Sequence, residues 1–174
     1  MKTILLMTVF IITSGASAQD SLQRNMRFPV GLYTTDNSDI YGLSVGIGSD
    51  VYQDAGYTGV RSNGIRVEPL SQSLLVFTLF LPIDRVRYPE DASAHAAFAK
   101  KAPNEIINGL NLSCGTNAFA NVNGVTFSAI TQSLKNTNGI SIAGLSSNAF
   151  KNNGLQVSIS YSKAVYSNGF ILAA

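Results

Sequence analysis

The chain has 174 residues, of which 13% are charged and 45% are hydrophobic, and its formal net charge at pH 7 is +2. This length suits a single domain, and so small a charge excludes the extended basic surface with which proteins bind nucleic acid. The chain contains one cysteine, Cys114, so it cannot form an intramolecular disulfide.

Residues 1–18 predict a secretory signal peptide. Lys2 precedes an apolar run at 4–12, and Ala16-Ser17-Ala18 supplies the small residues that a signal peptidase recognises. The apolar run is too short to span a bilayer. We therefore expect the mature chain to begin near Gln19, and the protein to be exported to the periplasm, the outer-membrane surface or the extracellular space.

Residues 19–174 predict one β-repeat domain, which opens with irregular strands at 26–72. Short runs of alternating apolar residues, such as 41–47, are separated there by turn-forming residues. The tract Asn63-Gly64-Ile65-Arg66-Val67 matches the start of the later repeats, and Gly64 lies forty-five residues before Gly109. This spacing indicates irregular relatives of the later repeats.

Residues 73–107 predict an insertion. It opens with an apolar tract at 73–82 that is too short for a transmembrane helix and ends at Pro82. We expect this tract to be a buried strand or a loop packed over the repeats. Between 90 and 101, an alanine-rich segment with early acids and late lysines predicts one short helix that ends before Pro103.

Residues 108–174 contain a regular internal repeat. The dipeptide Asn-Gly recurs every fifteen residues, beginning at Asn108, Asn123, Asn138, Asn153 and Asn168. The position after the glycine is apolar in every copy: Leu110, Val125, Ile140, Leu155 and Phe170. The position two residues further on is apolar as well: Leu112, Phe127, Ile142, Val157 and Leu172. A fixed period with apolar columns in phase predicts repeats that stack on one another.

The repeats predict an all-β fold, a parallel β-solenoid of fifteen-residue coils with the inserted apolar segment and one short helix. The alternative is an antiparallel β-meander or a small β-barrel, in which each Asn-Gly forms a hairpin turn. A hairpin at Asn123-Gly124 would pair Leu112 with Lys135 and set apolar against polar residues, whereas parallel stacking pairs like with like. The residues therefore favour the solenoid.

In such a solenoid we expect the apolar columns to form the interior, so that an aspartate in place of Ile142 would unfold the repeats. The polar column between them is expected to point outward: Asn111, Thr126, Ser141 and Gln156. The glycine of each repeat is expected where a corner needs positive φ or close backbone approach, and the asparagines are expected to form a hydrogen-bonded ladder.

The units Asn-Gly-Leu-Asn-Leu, Asn-Gly-Val-Thr-Phe, Asn-Gly-Ile-Ser-Ile and Asn-Gly-Leu-Gln-Val resemble those of uncharacterised bacterial cell-envelope surface-repeat proteins. The resemblance covers 108–174 well and 41–67 loosely. It implies an exported envelope protein and provides no catalytic residues to carry over. The chain departs from the family at the sixth repeat position, where members often have glycine and this chain has Ser113, Ser128, Ala143 and Ser158.

The sequence predicts no catalytic, cofactor-binding or metal-ligating residues. His95, the only histidine, has alanine neighbours and belongs to the predicted helix. Cys114 is expected to be a small buried residue. Four carboxylates lack the spacing of calcium-binding repeats and are expected in solvated turns: Asp36, Asp39, Asp50 and Asp54.

These patterns predict an exported, non-enzymatic structural or adhesive protein of the bacterial cell envelope; the alternative is a small outer-membrane β-barrel or barrel-associated protein. The expected partner is a protein or an envelope polymer, or a second copy bound through the apolar C-terminal rung at 170–174. Neither a cofactor nor nucleic acid is expected. Association with a membrane is possible, but a spanning protein is not the first prediction.

Overall fold

The computed structural model describes a subset of the chain, namely residues 24–32, 37–47, 59–70, 88, 91–103, 105–116 and 120–174. The predicted signal peptide and the apolar tract at 73–82 lie outside the described residues.

The described residues form ten strands and one helix. In chain order these are β1 (Asn25–Arg27), β2 (Val30–Leu32), β3 (Ser38–Ile47), β4 (Val60–Leu70), α1 (Ala92–Lys100), β5 (Glu105–Thr116), β6 (Ala120–Ala143), β7 (Ser146–Asn152), β8 (Leu155–Ser158), β9 (Tyr161–Ser167) and β10 (Phe170–Ala173). The prediction of an all-β protein with one short helix is confirmed.

The described strands form one sheet in which the paired strands run parallel. Strand β5 pairs with β6 so that Asn108 lies beside Asn123 and Leu112 beside Phe127. The register is therefore the fifteen-residue offset that the repeat predicts. The antiparallel meander is not what these strands form.

The irregular N-terminal strands join the same sheet in the same phase. Gly42 of β3 pairs with Gly64 of β4, and Gly64 pairs with Gly109 of β5. Gly64 and Gly109 are forty-five residues apart in the sequence, yet their strands are direct neighbours in the sheet. The match between 63–67 and the later repeats correctly indicated this register.

Each repeat needs its glycine because consecutive backbones approach closely there. Gly124 has φ of 137°, and Gly139 has φ of 134°, both in the region that favours glycine. A Cβ on Gly124 would meet the carbonyl oxygen of Gly109 well inside van der Waals distance, and one on Gly139 would meet the carbonyl oxygen of Gly124. Close approach therefore holds for the glycine of each repeat, and positive φ holds as far as Gly139, whereas Gly154 and Gly169 do not have a positive φ.

The repeat asparagines form the predicted ladder along the stack. Each side-chain Nδ2 donates to the Oδ1 of the asparagine in the preceding coil: Asn108 to Asn63 at 2.7 Å, Asn123 to Asn108 at 2.8 Å, Asn138 to Asn123 at 2.7 Å, Asn153 to Asn138 at 2.7 Å and Asn168 to Asn153 at 3.1 Å. A slip of one residue would break all of these bonds, so the ladder specifies the register.

Replacing Asn138 with alanine is expected to lower the free energy of unfolding by about 1–2 kcal/mol, because it removes two ladder hydrogen bonds. Asn168→Ala is the matched control, since it removes one bond at the last rung, and about half the loss is expected. Urea titration of both variants measures the difference. Equal effects of the two substitutions would contradict a ladder whose bonds contribute individually.

The expected interior was wrong: the polar column faces inward and the two apolar columns face outward. Asn111, Thr126, Ser141 and Gln156 are buried, whereas Phe127 is 46% exposed. Alternate residues of a strand point to opposite sides, so burial of the polar column turns the flanking apolar columns outward. The expectation that an aspartate at Ile142 unfolds the repeats falls with it, since a carboxylate there would point away from the interior.

The buried column is stabilised by hydrogen bonds that link Asn111 to Thr126 and link both Thr126 and Ser141 to the buried Gln132. Asn111 Nδ2 donates to Thr126 Oγ1 at 2.9 Å, and Thr126 Oγ1 donates to Gln132 Oε1 at 3.2 Å. Gln132 Nε2 in turn donates to the hydroxyl oxygens of Ser141 and Ser147. A second part of the interior is apolar and consists of Ile107, Ala120, Val122 and Leu134.

Helix α1 packs on the outer side of the sheet against residues of β6, β7 and β9. The Phe98 ring lies 4.7 Å from the Phe150 ring, and His95 Nδ1 lies 3.1 Å from the hydroxyl of Tyr166. Lys135 Nζ donates to the carbonyl oxygens of Ala99 and Lys101 at the end of the helix. Burial, and secondarily the Lys101 charge, lowers the pKa of Lys135. The helix is therefore attached to β6, β7 and β9 by both aromatic and polar contacts.

Candidate interaction face

The two outward columns form a continuous apolar surface of the stack, which we call the apolar face. The first column is Val30, Leu43, Ile65, Leu110, Val125, Ile140, Leu155 and Phe170. The second column is Leu32, Val45, Val67, Leu112, Phe127, Ile142, Val157 and Leu172. The step from Phe127 to Ile142 lies within β6, where the Asn138–Asn123 hydrogen bond holds the same register.

Ten members of the apolar face are exposed, from 36% for Leu43 to 78% for Phe170, and the other six are half-buried. With strands about 4.8 Å apart, eight rungs make the face roughly 34 Å long. Contiguous apolar patches on monomeric proteins seldom exceed about 300–600 Å², and the larger ones mark contact sites. The apolar face is therefore the strongest candidate for a functional surface among the described residues.

The apolar face contains no charged side chain. One border is the asparagine ladder, which is polar and uncharged. The other border carries Cys114, Ala129 and Ile159. Cys114 is half-buried here rather than fully buried as expected, because it lies in the outward phase after Leu112. Any partner of this face meets aliphatic and aromatic groups and no fixed charge.

The two outer sides of the stack differ in what covers them. Phe150 lies beneath helix α1 and is 4% exposed. Phe127, an aromatic residue of the opposite outer side, has no such cover among the described residues. Burying a phenylalanine is worth about 1.5–3 kcal/mol, so the difference is energetically large. Among the described residues, the helix thus covers one apolar side of the stack, whereas the side with Phe127 is exposed.

Three charged side chains, Arg66, Glu68 and Glu105, form a buried cluster within the stack. Arg66 Nε and Nη2 donate to the Glu105 carboxylate at 2.6 and 3.0 Å, and Arg66 Nη1 donates to Glu68 at 3.0 Å and to Asn111 at 2.8 Å. Burial raises the pKa of the Glu105 carboxyl, and the Arg66 charge opposes that shift. Because these side chains are buried, the cluster holds coils together and does not offer a charged site to a solute.

The candidate residues for chemistry are not brought together. His95, on helix α1, contacts Tyr166 and Phe150. Asp39 is paired with Arg24 at 2.8 Å. The remaining three aspartates, Asp36, Asp50 and Asp54, lie outside the described residues. Within the described ranges, no group of three His, Cys, Asp or Glu side chains is placed to hold a metal ion.

In the same part of the chain, no helix has the length and apolar character to cross a bilayer.

Sequence reasoning found the members of the apolar face but placed them inside. The alternation that identifies the two columns is the same whether they face in or out, so the pattern carries no signal for the side. Arg66 misleads further, because a charged residue in the phase of Asn111 suggests a solvated column, yet the structure buries it with its carboxylate partners.

The fold and this face define an all-β protein of stacked parallel strands with a polar interior and an uncharged apolar contact surface. No protein-family model matches the chain, and neither a curated protein nor a solved structure matches it. The resemblance to surface-repeat proteins stays a prediction from the Asn-Gly units.

Proposed function

We propose that this chain is an exported, non-enzymatic structural or adhesive protein of the bacterial cell envelope, and that it acts by binding through the apolar face. The observation that supports this role is the face itself: sixteen aliphatic or aromatic positions in two straight columns, ten of them exposed. A surface of this kind is unfavourable in water unless a partner covers it.

The proposed architecture is a parallel β-solenoid with one coil for each fifteen residues. The supporting evidence is that the strand pairs and the asparagine bonds connect residues fifteen apart over successive coils. Stacked repeats give a long, regular surface, which suits contact with an extended partner better than enclosure of a small molecule. The resemblance of the Asn-Gly units to envelope surface repeats agrees with this role.

The chemistry of the face favours a protein partner over an envelope polysaccharide. An uncharged aliphatic surface gains free energy by covering apolar groups, and it offers few hydrogen bonds to sugar hydroxyls. Self-association through the C-terminal rung remains part of the proposal, since β10 carries apolar side chains and pairs with β8 on one side.

Export and retention at the envelope are tested by fractionating the bacterium that carries this chain. The unsubstituted protein is expected in the envelope fraction, accessible to protease added to permeabilised cells, and processed near Gln19. The double variant Phe127→Thr/Ile140→Thr is expected to be exported but released, because the two substitutions replace large apolar groups of the face by polar ones, and threonine is well tolerated in a strand.

Tyr161→Thr is the matched control for the fractionation. Tyr161 is 50% exposed and lies on β9, outside the two columns of the apolar face, so its substitution should leave retention unchanged. An unprocessed protein found in the cytoplasm would refute the envelope role. Full retention of the double variant would refute the role of the face.

A further inference from the structure

We infer that the partner that covers the apolar face is a second copy of this chain, packed face to face across a two-fold axis. This inference rests on the proposed binding role of the face and specifies its occupant. Three properties of the face support it: its area, its lack of charge and the regular register of its strands.

The area of the face matches what a stable dimer buries. The exposed members extend over eight rungs, from Val30 and Leu32 at one end to Phe170 and Leu172 at the other. Together they present on the order of 800 Å² of accessible surface, which is what each partner contributes to an interface of standard size. A two-fold dimer uses the same patch on both copies, so one face suffices to make it.

The lack of charge favours a second copy over a lipid surface. Proteins that lie on anionic membranes combine apolar groups with lysine and arginine at the rim. The two columns contain neither residue, and their nearest border is the asparagine ladder. Two copies of an uncharged face, in contrast, meet without burying an unpaired charge.

The geometry of the columns suits sheet-on-sheet packing. Strands in regular parallel register give straight columns, and the two columns belong to alternate residues of the same strands. Two such sheets pack about 10 Å apart with their side chains interdigitating, as in a β-sandwich. Because the rung spacing is identical in both copies, the side chains of one can fill the gaps between those of the other along the whole face.

The inference is tested by sedimentation equilibrium of the purified chain. The unsubstituted chain and Tyr161→Thr are expected to have the mass of a dimer. Phe127→Thr/Ile140→Thr is expected to raise the dimer dissociation constant by roughly 100-fold or more, since it removes two large apolar groups from each copy. Unchanged circular dichroism of the double variant shows that its loss of association is not a loss of fold.

A crosslinking measurement locates the contact independently of these variants. In a Cys114→Ser background, Val125→Cys lies near the centre of the face and is expected to crosslink to its equivalent with a short bis-maleimide, whereas Tyr161→Cys is not. Crosslinking of both, or of Tyr161→Cys alone, would overturn the face-to-face arrangement. A dimer that persists in the double variant would also overturn the face-to-face arrangement.

Lipid as the true occupant is tested in the same experiment. A monomeric chain that pellets with phosphatidylethanolamine–phosphatidylglycerol vesicles through the face would overturn the inference in favour of lipid, and a chain that is monomeric without lipid would overturn it outright. A monomer that is still exported and retained refutes the dimer but not the envelope role. A dimer in a chain that stays in the cytoplasm refutes the envelope role but not the dimer.

Discussion

Arg66→Ala is expected to lower the free energy of unfolding by about 3–5 kcal/mol, because it breaks a buried ion-pair cluster by removing the shared cation. The guanidinium lies between two buried carboxylates, Glu68 and Glu105, and also donates to Asn111. Removing it takes the Arg66 guanidinium away from two buried carboxylates. The polar interior of at least two coils is expected to open. Urea denaturation followed by circular dichroism measures the loss.

Two comparisons isolate the cause of this destabilisation. Arg61→Ala, on the same strand but exposed, is expected to change the free energy of unfolding by less than about 0.5 kcal/mol. The triple variant Arg66→Met/Glu68→Leu/Glu105→Leu is expected to recover most of the stability, because buried ion pairs can be replaced by apolar residues of similar volume. If Arg66→Ala melts like the unsubstituted chain, the cluster is not buried as described.

Gly124→Ala is expected to destabilise the stack by at least about 3 kcal/mol, although it adds a single methyl group. The residue has φ of 137°, which an L side chain rarely adopts, and its Cβ would overlap the carbonyl oxygen of Gly109. The atoms that this Cβ would meet belong to the backbone of Gly109, so no side-chain rotation can relieve the overlap. The coil would have to separate from its neighbour, with loss of adjacent ladder bonds.

Ala129→Gly is the control, because it alters one Cβ in the same strand at an exposed position. Its expected cost is about 0.5–1 kcal/mol, the ordinary penalty of glycine in a strand. Thermal melting of the two variants side by side measures the contrast. A Gly124→Ala variant with a melting temperature within a few degrees of the control would contradict the close approach of the two coils.

The candidate site was the least predictable part of this protein, and the reason is geometric. The residues of the apolar face were recognised as two columns, but their side was wrong. A prediction of the interior from hydrophobicity alone assumes that apolar residues are the buried ones, and this assumption fails when buried polar side chains form hydrogen bonds with one another. The Asn111–Thr126–Gln132 bonds provide that compensation.

The position of helix α1 in the sequence, in contrast, was predicted correctly. Its presence between 90 and 101 followed from local composition, and the structure places it at Ala92–Lys100. What it packs against did not follow, because the contacts of Phe98 with Phe150 and of Lys135 with the helix carbonyls join parts of the chain that are distant in sequence. Such contacts exist only once the coils have stacked.

By itself the sequence determined the fifteen-residue period, the parallel register, the glycine corners and the asparagine ladder, because each depends on residues that recur at a fixed spacing. Only the tertiary structure decided which column is interior. That choice depends on long-range contacts such as the pairing of Arg66 with Glu105 and Asn111, 39 and 45 residues away. Alternation along a strand is symmetric between its two sides, so the long-range contacts alone break the symmetry and turn the apolar columns outward.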